Sequence, residues 1–158
     1  MVDLGTGGGV PGLPLAVWRD DLRWVLVDAM VKRAAFVATA VAELGLSAEV
    51  LEIRAESMAA EPRWSRTVDA VVARSLAAPG LAAEYAAPLL KVGGRAVIAE
   101  PPGGDPGRWP VDGLAKLGMR AGTVISAGTA TLQILDQVER CPPRFPRRVG
   151  AAAKSPIF

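Results

Sequence analysis

A chain of 158 residues, 51% hydrophobic and 22% charged, has the size and composition of one globular domain. With no histidine and a single cysteine, Cys141, it can build no Ser-His-Asp triad, no histidine-based metal site and no internal disulfide. No apolar run reaches the roughly 18 residues of a membrane span, and no secretory leader is legible, so the expected setting is the cytoplasm.

The charge is unevenly placed. Residues 1–139 hold thirteen bases and sixteen acids, a net −3, whereas residues 140–158 hold five bases and no acid. A basic tail at 140–158 on a mildly acidic body at 1–139 implies an anionic partner, with nucleic acid the first candidate.

Residues 2–4 form a strand stub, cut off by the glycine-rich stretch DLGTGGGVPGLP at 3–14. A helix starts near Leu13, where Pro14 suits a first turn. The run WVLV at 24–27 reads as a buried strand ending at Asp28. The spacing of Val37, Ala40, Val41 and Leu44 puts them on one face of a helix over 30–44, stopped by Gly45. Lys32 and Arg33 belong to its solvated side.

Strands are expected at 50–53, 68–73 and 95–99, with a helix at 81–90 bent or ended by Pro88. The stretch 103–110 reads as a loop and 111–117 as a short helix. Strands at 122–126 and 131–138, joined by a tight turn, close the fold before an irregular, proline-interrupted tail. Trp18, Trp24 and Trp64 read as packing residues. Trp109 serves equally well as a packing residue or a base-stacking platform.

Alternating strands and helices predict a parallel sheet covered on both faces. The two last strands, so closely joined, must run antiparallel. This α/β pattern, a mostly parallel seven-stranded sheet ending in an antiparallel hairpin, is that of the Rossmann-like class I SAM-dependent methyltransferases.

In such sheets a ligand binds at the carboxyl ends of the strands, near the point where the strand order reverses. Both the glycine loop and Asp28 lie at that edge. Glycines let the backbone approach a ligand, and Asp28 can accept both hydroxyls of a ribose. NAD would require G-x-G-x-x-G with its pyrophosphate on the helix N-terminus. Gly5, Gly7 and Val10 break that spacing, although Gly7, Gly9 and Gly12 match it loosely. Asp3, two residues before the first glycine, would repel a pyrophosphate and suits the cationic end of S-adenosylmethionine (SAM). A SAM site built from Asp3, Gly5, Thr6, Gly7, Gly9, Val10 and Asp28 is the reading favoured over an NAD-dependent oxidoreductase.

The stretches DLGTGGGVPGLPLA, VDAMVKRAAFV, RAE (54–56), VVARSLA (71–77), PLLKVGG (88–94) and PPRFPRRVGAAAKSPIF (142–158) occur in order over nearly the whole chain. In these the sequence resembles the GidB/RsmG family, bacterial guanine-N7 methyltransferases of 16S ribosomal RNA. The resemblance implies SAM as cofactor, with Gly5 and the backbone near Val10 along its methionine and ribose. It puts Asp28 on the ribose and Ala55 and Glu56 beside the adenine. Arg74 would stand at the mouth, next to the SAM carboxylate or the incoming RNA. Arg144, Arg147, Arg148 and Lys154 would meet RNA phosphates of 16S ribosomal RNA or the small subunit, the enzyme acting as a monomer without metal. No catalytic acid or base is required: guanine N7 offers a lone pair and carries no proton, so placement suffices.

Three departures accompany the resemblance. The family's helical segment before the first strand has no counterpart here. A family lysine-glycine pair after the fifth strand is replaced by AEPPGG at 99–104, which puts Glu100 near the substrate. The final strand lacks the family's basic residue, for which Arg120 is the available substitute. The change at Glu100 keeps open a second reading, a catalytically silent relative that binds SAM and RNA.

Overall fold

The computed structural model describes residues 1–101 and 105–158. Residues 102–104, which close the AEPPGG stretch and include the first two residues of the loop expected over 103–110, lie outside the described residues.

Seven strands form one sheet in the order β3-β2-β1-β4-β5-β7-β6. Strands β1 (Val2–Leu4), β2 (Trp24–Asp28), β3 (Ala48–Glu52), β4 (Val68–Arg74) and β5 (Leu90–Glu100) are mutually parallel. Strands β6 (Met119–Ala127) and β7 (Ala130–Gln137) form a hairpin whose β7 runs antiparallel to β5. The expected sheet is therefore the observed one. The stub β1 is an interior strand, third from the β3 edge and flanked by β2 and β4, and all three of its residues are buried.

The strand order reverses across β1 and β4, and a cleft opens there at the carboxyl ends of the strands. Side chains alternate between two apolar layers, as the period of two demands. Val25, Val27, Val71 and Ala73 enter the larger core, with helices α4 (Pro79–Ala86) and α5 (Val111–Ala115) over it. Trp24 and Val72 enter the smaller one, with Ala16 of α1 (Gly12–Trp18).

Helix α2 (Val31–Glu43) buries Ala34 and Val37, while Leu44, expected on that face, is exposed. Helix α4 ends before Pro88, so the helix expected over 81–90 stops early and β5 begins at Leu90. The short helices α3 (Ala55–Ala60) and α6 (Ala151–Lys154) were not expected; both are under two turns, too short for a periodic signal. Trp24, Trp64 and Trp109 are buried and Trp18 is exposed. Burial removes Trp109 as an open stacking platform. No helix among the described residues is long and apolar enough to cross a membrane.

The tail is not a loose extension. Phe145 is 3% exposed and belongs to the main core with Cys141, whose thiol burial pushes up to about 11. The guanidinium of Arg66 donates to the carbonyls of Cys141, Pro142 and Phe145 at 3.0, 3.2 and 2.9 Å. Arg147 forks onto the buried carboxylate of Glu84, with both N–O distances 2.5 Å, and donates to the Ser155 carbonyl. These contacts bind the last eighteen residues to α4 and to the segment before β4.

Truncating Arg147 leaves the Glu84 carboxylate buried and alone, a loss of about 3–5 kcal/mol for pairs of this kind. Urea denaturation of Arg147→Ala is expected to show a loss in that range, whereas Arg148→Ala, an exposed side chain, is expected to stay within about 0.5 kcal/mol of the parent.

Candidate functional site

The loop between β1 and α1 is held by two carboxylates. Asp3 is fully buried beneath it, and one of its oxygens accepts the Thr6 hydroxyl at 2.7 Å and the Gly12 N–H at 2.9 Å. The close approach requires glycine at position 12: a Cβ there would lie 2.6 Å from that Asp3 oxygen. The other Asp3 oxygen has no partner among the described residues. Burial is the largest influence on Asp3 and raises its pKa, against the lowering effect of the Thr6 and Gly12 bonds.

Asp28 holds the loop from the other side. It ends β2, is 5% exposed, and accepts the Gly7 N–H at 2.9 Å and the Met30 N–H at 2.8 Å, one on each oxygen. The N–H groups of Gly9 and Val10 turn back to the Thr6 carbonyl at 2.8 and 3.2 Å. The loop thus closes on itself, and Gly5 crosses over the carboxyl end of β1 with φ of 68°.

A cavity of about 250 Å³ lies at this edge. Leu4 and Gly5 at the end of β1, Asp28, Ala29 and Met30 at the end of β2, and Ile53, Arg54, Ala55 and Glu56 after β3 line it. Ser75, Leu76 and Tyr85 close the remaining side. Glu56 is 7% exposed, and its carboxylate accepts the Gly150 N–H at 3.1 Å, so the tail reaches the rim of the cavity. A second cavity of about 450 Å³ adjoins it, sharing Ser75 and Leu76 and extending over the ends of β5 and β7.

Of the residues expected to hold a ligand, Gly5, Asp28, Ala55 and Glu56 line the first cavity together. Thr6, Gly7, Gly9 and Val10 do not; they shape the loop behind it. Asp3 is corrected from a ligand contact to a support, since it is covered by the loop it bonds. Arg74 lines the second cavity instead of the first.

Arg33, expected on the solvated side of α2, lines the first cavity. Ile53, Ser75, Leu76 and Tyr85 were missed. The first three follow directly on strand ends at the ligand-binding edge, a usable signal, whereas Tyr85 lies within α4 and had none. In the tail, Arg148 and Lys154 are exposed. Arg147 is spent on Glu84, and Arg144 donates to the Lys116 carbonyl at 3.1 Å and lies over the Phe145 ring. Among the described residues, no group of His, Cys, Asp and Glu is arranged to hold a metal.

The family model described as rRNA small subunit methyltransferase G, GidB, matches residues 1–100. The ribosomal RNA small subunit methyltransferase G of Leuconostoc mesenteroides is 34% identical over 166 residues, covering 99% of this chain and 69% of that protein. Its namesake in Rubrobacter xylanophilus is 36% identical over 170 residues, covering 99% and 64%. The Deinococcus radiodurans protein is 37% identical over 168 residues, covering 99% and 65%. The chain thus spans about two thirds of the length of these relatives.

Among solved structures, the 16S rRNA (adenine(1408)-N(1))-methyltransferase from Catenulisporales acidiphilia superposes with a TM-score of 0.72 at 17% identity, covering 89% of this chain and 85% of that one. A SAM dependent methyltransferase from Aquifex aeolicus gives 0.63 at 20% identity, covering 85% and 79%. At such identities the likeness establishes the fold alone.

Because burial raises the Asp3 pKa, the folded state holds that proton more tightly than the unfolded chain does. The contribution is present at low pH and is lost as pH rises from the ordinary carboxylate value through the raised one. The stability of the parent relative to Asp3→Asn, followed by urea denaturation between about pH 4 and 7, is expected to decline with rising pH.

Proposed function

The chain belongs to the GidB family of small-subunit ribosomal RNA methyltransferases, and from that premise we propose that it methylates N7 of a guanosine in 16S ribosomal RNA, with SAM as donor. The bacterial cytoplasm, where that RNA is processed, is the corresponding place of action. The observation that carries the reading is Asp28: a buried carboxylate at the end of β2, fixed by two backbone N–H groups and facing a cavity whose other walls are Gly5 and the 55–56 segment.

The donor set fits SAM. Each Asp28 oxygen keeps lone-pair capacity beyond its one backbone bond, enough to accept a ribose hydroxyl. Ile53, Ala55, Leu76 and Tyr85 supply apolar surface for a base. Gly5, free of a side chain, lets the loop backbone lie against the methionine part. When bound, SAM supplies an electrophilic methyl on sulfur.

The residues of this chain have to orient the acceptor and exclude water. The guanine N7 lone pair attacks without first losing a proton, which fits a cleft without histidine. Alignment of two reactants in a closed site is itself worth several kcal/mol. Arg148 and Lys154, exposed on the docked tail, and Arg74, at the second cavity, are the proposed contacts to RNA phosphate.

One observation favours the silent SAM- and RNA-binding reading. The Glu100 carboxylate borders the second cavity, and the Arg108 guanidinium beside it is paired with it at 2.8 Å.

Calorimetric titration with SAM, with NADH as control, is expected to show binding of SAM only. Asp28→Ala is expected to weaken SAM binding by roughly 10- to 100-fold, the value of hydrogen bonds to a charged group. Incubation of deproteinised small-subunit RNA with labelled SAM is expected to yield 7-methylguanosine on nuclease digestion. Unchanged SAM affinity in Asp28→Ala would refute the site, and SAM binding without any methyl transfer would select the silent reading.

A further inference from the structure

We propose that Ser75 positions the methyl acceptor: its hydroxyl donates to O6 of the guanine, the atom beside N7 on the same edge of the base, and so aims N7 at the methyl group. The assignment rests on the methyltransferase reading and names a residue that touches its substrate.

Two residues, Ser75 and Leu76, line both cavities. With SAM in the first cavity and the acceptor in the second, the methyl group passes between them at these residues. Ser75 is exposed there, directly after Arg74 at the carboxyl end of β4.

The backbone at this point is unusual. Ser75 has φ of 52°, a left-handed conformation that glycine adopts freely and other residues adopt under strain. Such residues persist where their surroundings fix them, and they cluster at active sites and ligand clamps. Here the fixing contact is made by the next residue. Leu76 turns onto the glycine loop: a Cβ added to Gly5 would lie 2.5 Å from Leu76 Cδ1. Leu76 also packs against the main core.

Glycine at position 75 would make this turn without strain, so what serine adds is its side chain. Arg66, the other non-glycine residue with positive φ among the described residues, has a task for its own side chain, the three tail carbonyls.

The addition at Ser75 is one hydroxyl, both donor and acceptor. Methyl transfer to N7 needs no base, so this hydroxyl has no proton to take. N7 itself must stay unbonded, because its lone pair attacks. The neighbouring acceptor on the major-groove edge of guanine is O6. A hydrogen bond to O6 holds the base where the cavities join and leaves N7 free. Since a hydroxyl bonds donors and acceptors alike, Ser75 orients the base and does not by itself select guanine over adenine.

The test compares the full chain with Ser75→Gly, which keeps the turn and removes the hydroxyl, and with Ser75→Ala, which removes the hydroxyl and keeps the strain. In methylation of deproteinised small-subunit RNA, both variants are expected to lose about tenfold in kcat through misplacement of the acceptor. Their Kd for SAM, by calorimetry, is expected to stay within about twofold of the parent, less than the loss of one hydrogen bond to SAM would cause. A residue that served only the turn would give a parent-like rate in Ser75→Gly.

A second measurement is independent of turnover. NMR titration of the chain saturated with S-adenosylhomocysteine compares guanosine 5′-monophosphate with 2-aminopurine riboside 5′-monophosphate, which keeps N7 and lacks O6. The parent is expected to favour the guanine nucleotide by about fivefold, the worth of one neutral hydrogen bond. Ser75→Gly is expected to bind the two alike.

A parent-like kcat in Ser75→Gly, a SAM affinity that falls with the rate, or a nucleotide preference that survives the substitution overturns the assignment. If the parent binds SAM and methylates RNA, only the assignment falls. A parent that transfers no methyl group overturns it too, and if that parent also binds no SAM, the methyltransferase reading falls with it.

Discussion

Two carboxylates hold one loop, and the cleft exists because they do. Asp3 grips the Gly12 N–H and the Thr6 hydroxyl from below, and Asp28 grips the Gly7 N–H from the side. Between them they fix where α1 begins and where Gly5 passes over β1. The cost is the burial of an acidic group with one oxygen unsatisfied. Asp28 does two things at once: it organises the loop with its bound N–H groups and turns its remaining lone pairs toward the cavity.

The opposite rim depends on a distant part of the chain. Glu56 borders the first cavity and accepts the Gly150 N–H, so a wall of that cavity is braced by the tail. The tail is held in turn by Arg66 at one end and by Glu84 at the other. Glu84 lies on α4, one residue from Tyr85, which lines the same cavity. Charges that look like an RNA-binding run in the sequence are therefore divided between two jobs. Arg147 is structural, while Arg148 and Lys154 face solvent.

The sheet, its antiparallel end and the cofactor edge were legible because each rests on a local signal. These were apolar runs for buried strands, a tight turn for the hairpin, and glycines followed by an acid at a strand end. Of the residues that line the first cavity, Gly5, Asp28, Ala55 and Glu56 were legible. The role of Asp3 was not: its spacing marks the loop, but whether a carboxylate faces a ligand or a backbone depends on which side of the chain the loop folds over. Arg147 was misassigned for a related reason, since its partner Glu84 lies 63 positions away. Trp109 and Phe145 are buried by packing across the fold, which composition near them, rich in glycine, proline and arginine, does not announce.

The central claim is that Asp28, fixed by its two backbone N–H bonds, receives the ribose of SAM. A crystal structure of the chain with S-adenosylhomocysteine tests it most directly. The account predicts both ribose hydroxyls within hydrogen-bond distance of the Asp28 carboxylate, with the adenine between Ile53 and the 55–56 segment and the bonds to Gly7 and Met30 intact. A nucleoside seated elsewhere, or an Asp28 that keeps only its two backbone partners in the complex, would contradict it.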